Sequence, residues 1–176
     1  MRRLAALLLL IAPSAVAQSQ DDWSWLAEHA PAAWEALEQA AAYCARETGG
    51  VLEIDEAAVQ FTDLDGDAGE GPRGGPDDVV VDFNAIFCSR AMTLWAGTGG
   101  SPVTFILDGE VSATWFGFDW EVERMGPMLP AIILLSRHGS ACDGYGTTPC
   151  VQAIVAVDGA FSTVRYPDEW EGFPTE

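Results

Sequence analysis

The hydrophobic period of this chain changes once, at Gly49-Gly50, and that change restricts the fold to a helix followed by a succession of strands. Upstream, Pro31 suits the first position of a helix, and Ala32 to Thr48 is rich in strong helix formers. Trp34, Leu37, Ala41 and Cys44 recur at helical spacing, which makes one face apolar and turns Cys44 toward a core. Trp23 to His29 leaves room for one or two further turns. Downstream, Val51 to Asp55 and Ala57 to Thr62 alternate, with Leu52, Ile54, Val59 and Phe61 inward, and Val79 to Phe83 is a β-branched run. More strands are expected at Ala91 to Ala96, Pro102 to Leu107, Glu110 to Phe116, Leu129 to Leu135, Val151 to Val157 and Ala160 to Arg165. Asp108-Gly109 and Asp158-Gly159 each lie between two such runs and tolerate the positive φ of a tight hairpin. The expected fold is α+β, an N-terminal helix packed on a predominantly antiparallel β-sheet.

The N-terminus predicts the compartment. Arg2 and Arg3 precede an apolar run from Leu4 to Ile11, then Pro13 and the small residues Ala15-Val16-Ala17, the order of a cleavable signal peptide over residues 1–17. The apolar run is well short of the ~20 residues that span a bilayer. Later apolar stretches end at Asp108 and at Ser136-Arg137, so no membrane span is expected after cleavage. Residues 18–176 read as a single domain, with a partly ordered tail from Tyr166. Seven Trp and eight Phe supply a core despite the charge.

Four cysteines follow the leader: Cys44, Cys88, Cys142 and Cys150. An even count in an exported chain reads as two disulfides, consistent with a periplasmic or secreted location. Cys142 and Cys150 flank the turn-rich Asp143 to Pro149 and are natural partners, which leaves Cys44 for Cys88; the two crossed pairings remain formally open. Zinc is disfavoured, because there is no C-x-x-C and the two histidines, His29 and His138, lack finger-like spacing.

Charge excludes whole classes of function. There are 27 Asp and Glu, eight Arg and no Lys, for a formal net charge of −19 before the two leader arginines are removed. Such a field repels polyphosphates, so nucleic acid is not a partner. Without lysine there is no Schiff base, no P-loop lysine and no Ser-Lys dyad.

Chemistry concentrates in Phe61-Thr62-Asp63-Leu64-Asp65-Gly66-Asp67-Ala68-Gly69 and in the later Asp77-Asp78. Three carboxylates at alternate positions with a Gly between them can converge on one hard cation when the loop turns tightly. This segment resembles the calcium loops of FG-GAP repeats and dockerins, which carry a D-x-D-G-D-G core and a later Asp leading into a strand. The resemblance implies Asp63, Asp65, Asp67 and Asp78 as Ca²⁺ ligands. Two departures from that pattern are Ala68 in place of the turning Gly and an apparent insertion from Glu70 to Pro76; Gly74 also stands where an EF-hand would have Glu. A solvated acidic turn is the alternative.

Two other segments carry weaker chemistry. Ser136-Arg137-His138-Gly139-Ser140 could serve a small secreted hydrolase using His138 with Ser136 or Ser140, although no G-x-S-x-G elbow is present. Trp115-Phe116-Gly117-Phe118-Asp119-Trp120, with Glu121 and Glu123, could form a sugar platform or an acidic pair, but alternate aromatics in a strand more often build core. The whole chain after the leader is also similar to a set of small uncharacterised exported proteins of Gram-negative bacteria, a resemblance that implies export and no activity. The expectation is a non-catalytic exported binding or structural domain, with Ca²⁺ in the Asp loop.

Overall fold

The structure, a computed structural model, describes residues 23–67, 77–126 and 129–163. The expected leader, the tail from Tyr166, Ala68 and the stretch from Glu70 to Pro76 lie outside the described residues. Two helices come first, α1 (Leu26–His29) and α2 (Pro31–Thr48), with Pro31 opening the longer one as its fixed φ allows. Gly49 adopts φ 65° and its amide closes on the Ala45 carbonyl at 2.9 Å. Gly50 is required for a different reason: a Cβ there would sit 2.8 Å from Cys88 Sγ and 2.8 Å from Thr48 Oγ1. The buried stripe of α2 is Ala33, Leu37, Ala40 and Cys44. It shares Leu37 and Cys44 with the expected one, but the small alanines, not Trp34 and Ala41, let the helix approach the sheet closely.

Ten strands follow among the described residues: β1 (Leu52–Ile54), β2 (Val59–Phe61), β3 (Val79–Asp82), β4 (Ile86–Cys88), β5 (Ser101–Leu107), β6 (Val111–Gly117), β7 (Asp119–Glu123), β8 (Ile132–Arg137), β9 (Cys150–Val157) and β10 (Ala160–Thr163). All pairings are antiparallel, as expected, but they form three sheets instead of one: β2-β3-β5-β6, β10-β9-β8-β7 and the ribbon β1-β4. The reason lies in β3, where Val79, Val80 and Val81 are all fully buried. Val79 and Val81, with Ile106, pack against Leu26, Ala33 and Leu37 of the helices. Val80, with Val103, Phe105 and Leu107, packs against Ile133, Leu135, Ile154 and Ala156 of the second sheet. The order is therefore helix, sheet, sheet, and the non-alternating valines mark a strand covered on both faces.

Gly117 makes the passage between sheets. A Cβ at this position would meet Leu135 Cδ1 at 2.6 Å and the Ser136 carbonyl at 3.0 Å, while the next amide, Phe118, donates to that carbonyl at 2.9 Å. Both Asp-Gly hairpins form as expected, with φ of 51° and 72° at Asp108-Gly109 and 52° and 70° at Asp158-Gly159. The expected strand at Ala91 to Ala96 is absent: these residues turn, and Trp95 packs against Tyr43 and Phe83 instead. Two strands were not anticipated. In β4 the paired segment is three residues long, and in β7 three carboxylates hide the alternation carried by Trp120 and Val122. Among the described residues no helix is long and apolar enough to cross a membrane.

The disulfides are Cys44–Cys88, joining the end of α2 to β4, and Cys142–Cys150, closing the loop before β9. They separate the chain by 44 and 8 residues respectively, so removing the first relaxes the unfolded chain more. Urea unfolding of Cys44→Ala/Cys88→Ala should show a loss of about 4 kcal/mol, against about 2.5 kcal/mol for Cys142→Ala/Cys150→Ala; equal losses, or the reverse order, would refute the account.

Candidate metal centre

The Asp loop hangs between the two layers of β-structure because Leu64, at its middle, is fully buried in the core of the second sheet. Its carbonyl accepts from Ala131 N–H at 3.0 Å, which pins the loop to the start of β8. Gly66, at φ 86°, turns the chain where a Cβ would lie 2.7 Å from the Leu129 backbone, and its amide donates to Asp63 Oδ1 at 2.7 Å. The Asp67 amide donates to Asp65 Oδ1 at 3.1 Å. These local bonds leave a concave acidic loop.

Asp78 is the knot of the site. It is only 1% exposed, at the entry to β3, where Oδ2 accepts from Leu64 N–H at 2.6 Å and Oδ1 from Asp108 N–H at 3.0 Å. One carboxylate thus ties together the Asp loop, β3 and the β5–β6 hairpin. Asp63, Asp65 and Asp78 each offer an oxygen within 4.8 Å of the others, as do Asp65, Asp67 and Asp108, and as do Asp77, Asp78 and Asp108. All four sequence-predicted ligands therefore fall into one continuous cluster. Asp77 and Asp108 enlarge it, and no spacing rule pointed to either: Asp108 reads in sequence as a hairpin residue, 30 positions from the carboxylate it meets.

Arg124 supplies the cluster's described cation. Nη1 donates to Asp63 Oδ2 at 2.6 Å and Nη2 to the Asp63 carbonyl at 2.7 Å, so Arg124 holds Asp63 through both side chain and backbone. The remaining carboxylates repel one another. Burial, then the charges of Asp65 and Asp77, push Asp78 up to about 6 against the lowering effect of its two backbone donors. Asp65 and Asp77 are raised as well, first by burial and then by Asp67, Asp108 and Asp63. One oxygen of Asp77 is buried with no hydrogen-bond partner among the described residues.

The His138 segment is built differently. Ser136 sits within β8, opposite Asp119 and Val151. Ser140 Oγ lies 2.7 Å from His138 Nδ1, which also faces the Ser140 amide at 3.4 Å, so the imidazole caps the short turn Gly139–Cys142. Nε2 faces Gly146, where a Cβ would approach to 2.5 Å. Among the described residues no carboxylate hydrogen-bonds to this ring, so the relay of nucleophile, base and acid is not assembled. The aromatic run is divided between core and surface: Trp115 and Trp120 pack on Phe105, and Trp120 Nε1 donates to Asp82 Oδ2 at 3.1 Å, while Phe116 and Phe118 are exposed.

The raised Asp78 pKa sets a pH dependence. A carboxyl that holds its proton more tightly folded than unfolded contributes stability fully present below about pH 4 and lost as pH rises through about 6. In chelator the protein should lose about 2–3 kcal/mol of unfolding free energy from this group between pH 4 and 7. Asp78→Asn should flatten that window while leaving one backbone donor opposed; stability that instead rises from pH 5 to 7 would sink the assignment.

No protein-family model matches the sequence, and neither a curated protein nor a solved structure shows significant similarity to it, so function has to be argued from this geometry.

Proposed function

We propose that this protein is an exported, non-catalytic binding or structural domain whose Asp cluster takes up Ca²⁺. The observation that carries the reading is the overlap of three carboxylate triads through Asp65, Asp78 and Asp108, each with oxygens within 4.8 Å of one another. A hard divalent cation would offset both the burial and the lesser mutual repulsion that raise Asp65, Asp77 and Asp78. All the donors are oxygen, and their irregular arrangement suits the variable coordination of Ca²⁺ better than the strict octahedron of Mg²⁺. Asp65, Asp67, Asp77, Asp78 and Asp108 would hold the ion. Asp63, kept by Arg124, would orient the loop. The resemblance of the loop to FG-GAP and dockerin calcium loops supports the same ligand class.

Two disulfides call for an oxidising compartment. The leader supports export to the periplasm or the medium, with the mature chain starting at Gln18. There, millimolar Ca²⁺ matches the ~10⁻⁴–10⁻³ M affinities of extracellular modules.

Calorimetric titration of Ca²⁺ into chelator-treated, oxidised protein should give a dissociation constant of ~10⁻⁴–10⁻³ M. Ten millimolar Ca²⁺ should then stabilise the fold by about 1.4–2.7 kcal/mol, and Asp65→Ala should lose both effects. Absence of heat and of thermal stabilisation up to that concentration would end the calcium reading.

A further inference from the structure

We infer that the outer edge of β6 accepts an extended segment of a basic partner protein as a fifth strand of the middle sheet. Among the described residues the two four-stranded sheets end in four edge strands, and three of them are blunted. β2 has three residues, β10 has four among those described, and β7 carries Asp119, Glu121 and Glu123. β6, with the sequence Val-Ser-Ala-Thr-Trp-Phe-Gly, is seven residues long and bears neither a charge nor a proline. That is the kind of edge that pairs with another chain unless something protects it.

The direction of its free backbone groups follows from Pro102, which lies opposite Phe116 in the β5–β6 register. Pro102 has no N–H, so this pair cannot exchange the two bonds of a hydrogen-bonded pair. Phe116, and by alternation Thr114 and Ser112, therefore turn their N–H and C=O away from β5. The Phe116 carbonyl bears this out, since it accepts from Arg137 Nε at 3.0 Å. Ser112 and Thr114 are exposed, and among the described residues no strand lies on their side away from β5. Along the helix-facing side of this edge runs an open groove between Ala36, Gln39 and Tyr43 of α2 and Thr104, Ser112 and Thr114 of the sheet. An added strand would set alternate side chains into that groove and pair with the outward amides and carbonyls of Ser112 and Thr114.

Charge decides the occupant. A second copy would bring together two chains of formal net charge −19, whereas a basic segment is drawn in by the same field. This inference rests on the non-catalytic binding reading but uses no ligand of the Asp cluster.

The test is amide hydrogen exchange and affinity measured in chelator with the peptide acetyl-KVTVTVTVK-amide, its Glu-for-Lys counterpart, and a version N-methylated at alternate residues. The Lys peptide should bind and slow exchange at Ser112 and Thr114. The Glu and N-methylated peptides should each bind at least about tenfold more weakly, as should Thr114→Pro, which removes one outward amide. Ser112→Lys/Phe116→Lys, which leaves every backbone bond of the sheet in place, should weaken binding similarly and guards against misfolding of the proline variant. Asp65→Ala should bind the Lys peptide as the parent does, so loss of calcium binding and loss of peptide binding are separable. No binding of the Lys peptide, equal binding of all three peptides, unchanged binding by both edge variants, or protection at Ser112 and Thr114 that appears with protein concentration alone would each overturn the inference, the last in favour of a second copy.

Discussion

Burial of the middle sheet on both faces is the constraint from which the rest of the architecture follows. A strand with Val79, Val80 and Val81 fully buried needs a layer above and a layer below, and each buried Val contributes about 1.5–3 kcal/mol only if the layer on its own side is present. The helix supplies one cover and the β7–β10 sheet the other. Gly117 then matters because the chain must leave one layer and enter the next without a gap, and Leu135 occupies the volume a side chain would need. The disulfides fasten the periphery. Cys44–Cys88 holds the end of the helix to the small ribbon, and Cys142–Cys150 closes the loop that leads into β9.

The acidic cluster sits where those layers meet, and its energetics come from that position. Leu64 draws the loop inward by burying its side chain in the core of the second sheet, and the carboxylates on either side are carried partly out of water with it. Asp78 compensates by accepting two backbone N–H bonds that no other group is placed to accept, which makes it a structural acceptor even while burial disfavours its charge. Arg124 neutralises Asp63 at one side of the cluster. Asp108 lies within reach of Asp65 and Asp67 on one side and of Asp77 and Asp78 on the other. Loop stability and cluster charge are therefore linked, and whatever lowers that charge, proton or metal ion, acts on the fold.

How much of this could be read from the sequence depended on whether a signal was local. The α2 boundaries came from Pro31 and Gly49, and both hairpins from Asp-Gly pairs, because caps and turns are chosen by the residues that form them. The Cys142–Cys150 pairing was legible for the same reason, and Cys44–Cys88 followed by elimination. Division into two large sheets and a small ribbon was not legible, since the one hint, three consecutive valines, is equally the mark of a good central strand. Strand β7 was missed because its outward Asp119, Glu121 and Glu123 outweigh its inward Trp120 and Val122, and Ala91 to Ala96 was over-read because its hydrophobics serve loop packing. In the acidic cluster, Asp63, Asp65 and Asp67 were singled out by their alternate spacing and Asp78 by the resemblance of the segment to calcium loops. Asp77 was hidden by its neighbour, and Asp108 by distance along the chain.

The absence of lysine bears on the β6 edge as well as on the metal centre. Edge strands are commonly protected by a lysine that sweeps its charge across the open amides, and this chain has none to place there. Its protection against self-pairing has to be collective, from 27 acidic residues that keep copies apart by long-range repulsion. Such protection is non-specific in sign: it rejects another copy and any other acidic protein, but it attracts a basic segment toward the one long edge that has no charge of its own. It also weakens as salt shortens the Debye length to about 8 Å at physiological ionic strength. At that range the choice of a basic over an acidic segment rests on the carboxylates nearest the edge, while the outward backbone groups of Ser112 and Thr114, with the groove beside α2, supply the pairing itself.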